Sequence, residues 1–162
     1  MKKNNDKQKD MQFKYIIKGK CSNGFFSIMK DYSLLYSTKG GDFTILLGGD
    51  WRFELNVDSS TGRCINFQGT LVGNVQEKKL KIPSHDKGEL FFCYENNLLV
   101  GAGCHYCLID DCAYYDSIQK ILCIGDPSLI GTAIEFTNKT IAVICDNTLV
   151  AIYLDLKDAC KE

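Results

Sequence analysis

Short runs of apolar or alternating residues, separated by Gly, Asn, Asp and Ser, recur along the whole chain. Strands at such regular spacing, with turn residues between them, are typical of a β-sandwich or barrel. The clearest alternation is at 51–57, where four apolar side chains would share one face of a strand: Trp51, Phe53, Leu55 and Val57. The pattern predicts strands at 13–18, 25–29, 33–37, 43–47, 51–57, 63–71, 78–82, 89–94, 98–101, 105–109, 120–124, 132–136, 140–145 and 149–154.

Helical periodicity is scarce in this sequence. The segment 111–119 is expected to form a short helix or an irregular loop, and 155–162 a frayed terminal helix. Polar turns such as 58–62 and Asp146-Asn147 separate strands that should pair as hairpins. We therefore predict an all-β fold of antiparallel meanders, arranged as a sandwich or a partly closed barrel with little helix.

The length of 162 residues fits one domain with a sizeable core. Residues 1–10 are almost entirely polar and predict a disordered tail, followed by a single all-β domain at 11–162. A half-domain boundary near 83–88 is conceivable, because turn residues there coincide with a change of charge sign. No apolar run approaches a membrane span or a signal-peptide core, so we expect a cytoplasmic protein.

Composition adds an expectation about compartment and source. Nine cysteines without an export signal indicate a reducing environment, in which most of them would be buried free thiols. Seventeen lysines against two arginines, with abundant Asn and Ile, indicate an A/T-rich genome, and we expect a bacterial source.

The nearly neutral net charge of −1 hides a strong asymmetry between the two halves of the chain. Residues 1–87 hold fifteen Lys/Arg against nine Asp/Glu, a formal +6, and residues 88–162 hold four against eleven, a formal −7. Between Lys87 and Lys120 there is no lysine or arginine. Such asymmetry concerns partners and association more than fold.

The acidic half also carries tyrosines, which are favoured at protein interfaces. Carboxylates beside them would attract a basic partner and speed association. An acidic solvated face with tyrosines half in the core would give the same pattern. The predicted partner-binding residues are Tyr94, Glu95, Asp110, Asp111, Tyr114, Tyr115 and Asp116.

The sharpest local pattern is Cys104-His105-Tyr106-Cys107, which is followed by Cys112. Thiolate and imidazole are zinc ligands, so a metal-binding site built on Cys104, Cys107 and Cys112 is one alternative. Against it, no second half-site is present, and Cys104 and Cys107 would point to opposite faces of one strand. We favour buried free thiols and expect neither metal nor cofactor.

Catalytic and nucleic-acid-binding signatures are weak throughout the sequence. There is no G-x-S-x-G motif, and adjacent residues such as Cys104 and His105 diverge on a strand, which makes them a poor nucleophile and base. Arginine, which phosphate recognition favours, occurs only at Arg52 and Arg63. We expect a protein that is not an enzyme and binds neither nucleic acid nor membrane.

The predicted function is a non-enzymatic binding protein whose acidic, tyrosine-bearing surface engages a basic protein partner. An inhibitor or immunity-type protein is one form this function would take, and the oligomeric state is left open. A second alternative is a small-ligand-binding β-barrel, with Trp51 and Phe53 lining the cavity.

Overall fold

The structure is a computed structural model of the chain, and it describes residues 8–21, 23–30, 33–48, 52–71, 75–95 and 98–161. The elements of regular secondary structure in these ranges are fifteen strands. They are β1 (Met11–Ile17), β2 (Phe26–Ile28), β3 (Ser33–Tyr36), β4 (Phe43–Leu47), β5 (Phe53–Val57), β6 (Cys64–Thr70), β7 (Val75–Glu77), β8 (Asp86–Tyr94), β9 (Gly103–Tyr106), β10 (Ala113–Asp116), β11 (Ile121–Gly125), β12 (Thr132–Thr137), β13 (Thr140–Cys145), β14 (Thr148–Asp155) and β15 (Cys160–Lys161).

The strands form two sheets that pack face to face as a sandwich, which confirms the all-β prediction. The first sheet has the order β1-β8-β12-β13-β14-β11-β10-β7, and the second has the order β15-β2-β3-β6-β5-β4-β9. Most neighbours are antiparallel, but β10–β7, β12–β8, β4–β9 and β15–β2 are parallel pairs. The molecule is thus a sandwich of two open sheets and not a closed barrel.

The main core lies between the two sheets and is rich in aromatic rings. The rings of Phe13 and Tyr106 meet edge to face at 5.1 Å, and those of Phe53 and Phe67 stack at 5.8 Å. The alternation predicted for 53–57 is confirmed, since Phe53, Leu55 and Val57 are buried while the residues between them are partly exposed. Trp51 lies outside the described residues.

A second, smaller core covers the outer face of the first sheet. It forms because the chain crosses this face between β7, at one edge, and β8, near the other. We call residues 78–85 the strap. Its Leu80 and Ile82 pack on outward-facing side chains of β11–β14, such as Cys123 and Tyr153. The predicted strand at 78–82 is therefore wrong, because the strap belongs to neither sheet.

Three further local predictions differ from the structure. The segment 111–119, expected to be a helix or loop, contains strand β10, which pairs with β11 and β7. The segment 155–162, expected to be a frayed helix, contains β15, which pairs with β2. Residues 98–101 form no strand. For β10 and β15 a neighbouring strand decides the conformation of a short segment, which local propensity does not reveal.

The two halves of the chain are interleaved in both sheets. Strands from either side of the 83–88 segment contribute to each sheet. Strand β8 of the first sheet also contacts the β5–β6 connection of the second sheet, where Phe92 N donates to Gly62 O at 2.7 Å. Gly62 has a φ of +76°, and a Cβ there would lie 2.6 Å from Phe92 O, so only glycine fits this junction.

Candidate functional site

The loop at 107–112 carries the chain from β9 in the second sheet to β10 in the first. Its own carboxylates shape it, as is common for aspartate in turns. Asp111 Oδ1 accepts a hydrogen bond from Leu108 N at 3.1 Å, and Asp110 Oδ1 accepts one from Cys112 N at 2.9 Å. Asp110 and Asp111, which the sequence analysis predicted as partner-binding residues, therefore stabilise the backbone of this loop and also give it negative charge.

Asp110 also links the loop to β10. The Tyr114 hydroxyl donates to Asp110 Oδ2 at 2.8 Å, and Lys78 Nζ lies 4.9 Å from the centre of the Tyr114 ring. Hydrogen bonds from Cys112 lower the pKa of Asp110, while the bond to Asp110 raises the pKa of the Tyr114 phenol. The Asp110 carboxylate stays ionised at neutral pH, although its oxygens are already engaged by neighbouring donors.

Asp116 and Tyr115 are directed into the molecule. Asp116 is buried, and its carboxylate accepts backbone hydrogen bonds from Leu80 at 2.8 Å, Ile118 at 3.0 Å and Gln119 at 2.8 Å. These bonds, that from Gln119 foremost, lower the pKa of Asp116. Tyr115 packs against the main core, and partial burial raises its pKa. Asp116 thus anchors one end of the strap.

Tyr94 ends β8 and Glu95 follows it, and four strands separate β8 from β10 in the order of the first sheet. The Tyr94 ring stacks on Phe92 at 6.1 Å and packs against the main core, whereas Glu95 is exposed. The sheet itself therefore does not bring Tyr94 and Glu95 next to Tyr114.

Residues 8–12 connect the loop at 107–112 with the end of β8, where Tyr94 and Glu95 lie. The Gln8 side-chain amide donates to Cys107 O at 2.7 Å and accepts from Cys107 N at 3.1 Å, so it satisfies both backbone groups of Cys107. Three residues later, Met11 is in register with Tyr94. The sequence assigned Gln8 to a disordered tail, and nothing in its polar surroundings signals this contact; residues 1–7 lie outside the described residues.

Two concavities open beside this segment, and they adjoin because Lys9 and Gln12 line both. One has a volume of about 380 Å³ and is also lined by Gln8, Met11, Tyr106, Asp146, Asn147 and Thr148. The other has a volume of about 260 Å³ and is also lined by Asp10, Cys93, Tyr94 and Glu95. We call these linings, together with the loop at 107–112, the Gln8 surface.

The β13–β14 turn forms the far wall of the larger concavity. Asp146 and Asn147 have φ values of +49° and +61°, which is the geometry of a two-residue type I′ hairpin. Asn147 O accepts a hydrogen bond from Phe13 N at 2.8 Å, so the turn is tied directly to β1. Asp146 and Asn147 are both exposed. This wall is held in place by backbone bonding, and it presents one carboxylate and one amide.

The cysteines predicted as alternative metal ligands are dispersed. Cys104 packs against the main core, and burial raises its pKa to about 11, whereas Cys107 is exposed. Cys112 lies beside Asp110, whose hydrogen bond raises the pKa of the thiol. In the part of the chain that the structure describes, no three His, Cys, Asp or Glu side chains are grouped so that they could hold a metal ion. All nine cysteines are free thiols, but only Cys64 and Cys123 are buried, so the expectation that most of them would be buried is wrong.

The residue proposed to line a ligand cavity, Phe53, is buried against Phe67 in the main core and lines neither concavity of the Gln8 surface. No helix in the described ranges is long and apolar enough to cross a membrane. In comparisons with protein-family models, curated proteins and solved structures, nothing matches this chain.

Proposed function

We propose that this chain is a non-enzymatic binding protein and that the Gln8 surface is an acidic site for a basic protein partner. The observation that carries the proposal is the pair of adjoining concavities, whose rim presents the exposed carboxylates of Asp10, Glu95 and Asp146. Concave surfaces with convergent polar groups are the usual places for binding.

The 107–112 loop extends this charge beyond the concavities. Gln8 fixes the loop beside them, and its exposed Asp111 adds a further carboxylate. Lys9 lines both concavities, so the surface is not purely acidic, but its carboxylates outnumber this lysine. An excess of one sign of charge raises the local concentration of an oppositely charged partner and its association rate.

Several of the residues predicted from the sequence keep a role in this proposal. Tyr94 and Glu95 line a concavity, and Asp110 and Asp111 belong to the adjoining loop. Tyr114 contributes by orienting Asp110. Tyr115 and Asp116 are not needed for contact, because their side chains are engaged inside the protein, where Asp116 anchors the strap to the end of β10.

Inhibition is the use that we favour for such a surface, since an acidic cluster can occlude the basic active site of an enzyme or toxin. A bacterial, cytoplasmic setting is part of the proposal. Nine free thiols and the lysine-rich, arginine-poor composition are consistent with that setting.

The test is affinity capture with matched charge variants. Glu95→Gln with Asp146→Asn removes two carboxylates from the Gln8 surface, and Asp86→Asn with Asp158→Asn removes two exposed carboxylates elsewhere. We expect the wild type and the second variant to retain the same basic protein, identified by mass spectrometry, and the first variant to lose it. Raising the salt concentration should release it. Equal retention by both variants, or retention insensitive to salt, would contradict the proposal.

A further inference from the structure

Strand β1 is an edge strand of the first sheet, with only β8 beside it. Hydrogen bonding alternates along an antiparallel pair, so every second residue faces the partner strand. Lys18 N donates to Lys87 O at 3.0 Å on the β8 side, whereas Phe13 N points the other way, to Asn147 O. By this alternation, the backbone groups of Tyr15 and Ile17 point away from β8.

These outward groups are available for pairing. Among the described residues, the structure gives the backbone N–H and C=O of Tyr15 and Ile17 no hydrogen-bond partner. The side chains there are exposed as well: 37% for Tyr15, 53% for Ile16 and 44% for Ile17. The register of β1 with β8 runs without a bulge, and the strand contains no proline. Bulges and prolines are devices that normally protect an edge strand from further pairing.

We infer that the outer edge of β1 accepts an added strand from a partner protein, and that this strand has the pattern acidic-x-apolar-x-acidic. Lys14 and Ile16 share one face of β1, and Lys18 is the first residue after the strand, where the backbone turns with a φ of +67°; both lysines are exposed. A partner strand would place carboxylates opposite the lysines and an apolar side chain opposite Ile16, which are favourable cross-strand pairs. Its intervening residues would exchange backbone hydrogen bonds with Tyr15 and Ile17.

A second copy of this chain fits the same edge poorly. If two β1 strands paired so that Tyr15 lay opposite Ile17, Lys14 of each would face Lys18 of the other. Like charges directly opposite each other destabilise a strand pair. Charge complementarity therefore favours an acidic-flanked strand of another protein. The Gln8 surface includes Met11 and Gln12 at the other end of β1 and does not include Lys14–Lys18, so it is a separate site.

The test uses a labelled synthetic peptide, TEVIVET, added to the full-length protein and followed by fluorescence anisotropy. We expect saturable binding that is lost when both valines are N-methylated, because those residues would supply the backbone donors. Amide exchange should slow at Tyr15 and Ile17 on binding and stay unchanged at Phe13, which already donates to Asn147.

A charge exchange supplies the matched control. Lys14→Glu with Lys18→Glu should lower the affinity of the protein for TEVIVET by at least about tenfold and raise its affinity for TKVIVKT, in which lysines replace the glutamates. The same change at two exposed lysines elsewhere, Lys39→Glu with Lys157→Glu, should leave both affinities as in the wild type. Absence of binding, equal affinity for the two peptides, binding that survives N-methylation, or self-association of the protein through this edge would overturn the inference.

Discussion

The hydroxyl of Tyr106 offers the sharpest test of how the two sheets are joined. Tyr106 lies on β9 of the second sheet, and its oxygen accepts a hydrogen bond from Leu149 N of the first sheet at 3.2 Å. Leu149 lies opposite Ile144, one pair before the two-residue turn, so its N–H points away from β13, and the pairing of β14 with β11 ends at Ala151. The Tyr106 side chain is only 1% exposed, so water cannot easily replace its hydroxyl.

The variant Tyr106→Phe keeps the ring and its contact with Phe13 but leaves the buried Leu149 N–H without an acceptor. An unsatisfied buried donor costs about 1–3 kcal/mol, so the free energy of unfolding should fall by that amount. The melting temperature should fall by about 2–4 °C for each kcal/mol lost in a chain of this size. Urea unfolding followed by circular dichroism, with an unchanged m-value, measures the difference.

The matched control is Tyr15→Phe. It also deletes one phenolic hydroxyl, which bonds Thr132 Oγ1 at 3.2 Å, but at an exposed site. Surface changes of this kind alter the free energy of unfolding by no more than about 0.5 kcal/mol. The reasoning would be refuted if Tyr106→Phe were as stable as the wild type, or if both variants lost the same free energy.

Two further outcomes follow from the burial of specific groups. Asp116→Ala removes the carboxylate that accepts the hydrogen bond from Leu80 N of the strap, so trypsin should cleave after Lys79 and Lys81 several-fold faster than in the wild type. The control Asp158→Ala should leave the cleavage rate unchanged. Equal rates in the two variants would exclude an anchoring role for Asp116. Burial raises the pKa of Cys104 to about 11, so the native state keeps a proton that the unfolded chain begins to lose near pH 8.5. The stability contributed by this thiol is therefore complete below pH 8.5 and is lost as the pH rises through 11. Urea unfolding at pH 8 and pH 10.5 should show a larger loss of stability for the wild type than for Cys104→Ala, and equal losses would contradict this.

The sequence predicted strand positions well where one alternating face meets the core. At β5 the period-two pattern alone identified Phe53, Leu55 and Val57 as buried. The strap shows the limit of such patterns. Leu80 and Ile82 also alternate with polar residues, but alternation reports only an extended chain with one apolar face. Whether that chain joins a sheet or lies across one depends on distant strands.

The candidate site could be predicted only in part for a similar reason. Carboxylates and tyrosines can be counted in the sequence, but their orientation depends on which backbone donors come near them. Asp116 meets three such donors and is buried, while Glu95 meets solvent. The contact between Gln8 and Cys107 joins residues 99 positions apart, and no local signal could have indicated it.

The strap also imposes an order on how the native state can be completed during synthesis. Everything beneath and around it is encoded later in the chain: its anchor at Asp116, the His85 partner Glu135 at 3.3 Å, and the apolar floor that ends with Tyr153. While a ribosome is still making those residues, Leu80 and Ile82 have nothing to cover. A nascent chain therefore exposes this apolar, lysine-containing stretch until β14 has been synthesised, and chaperones bind exposed apolar segments of this kind.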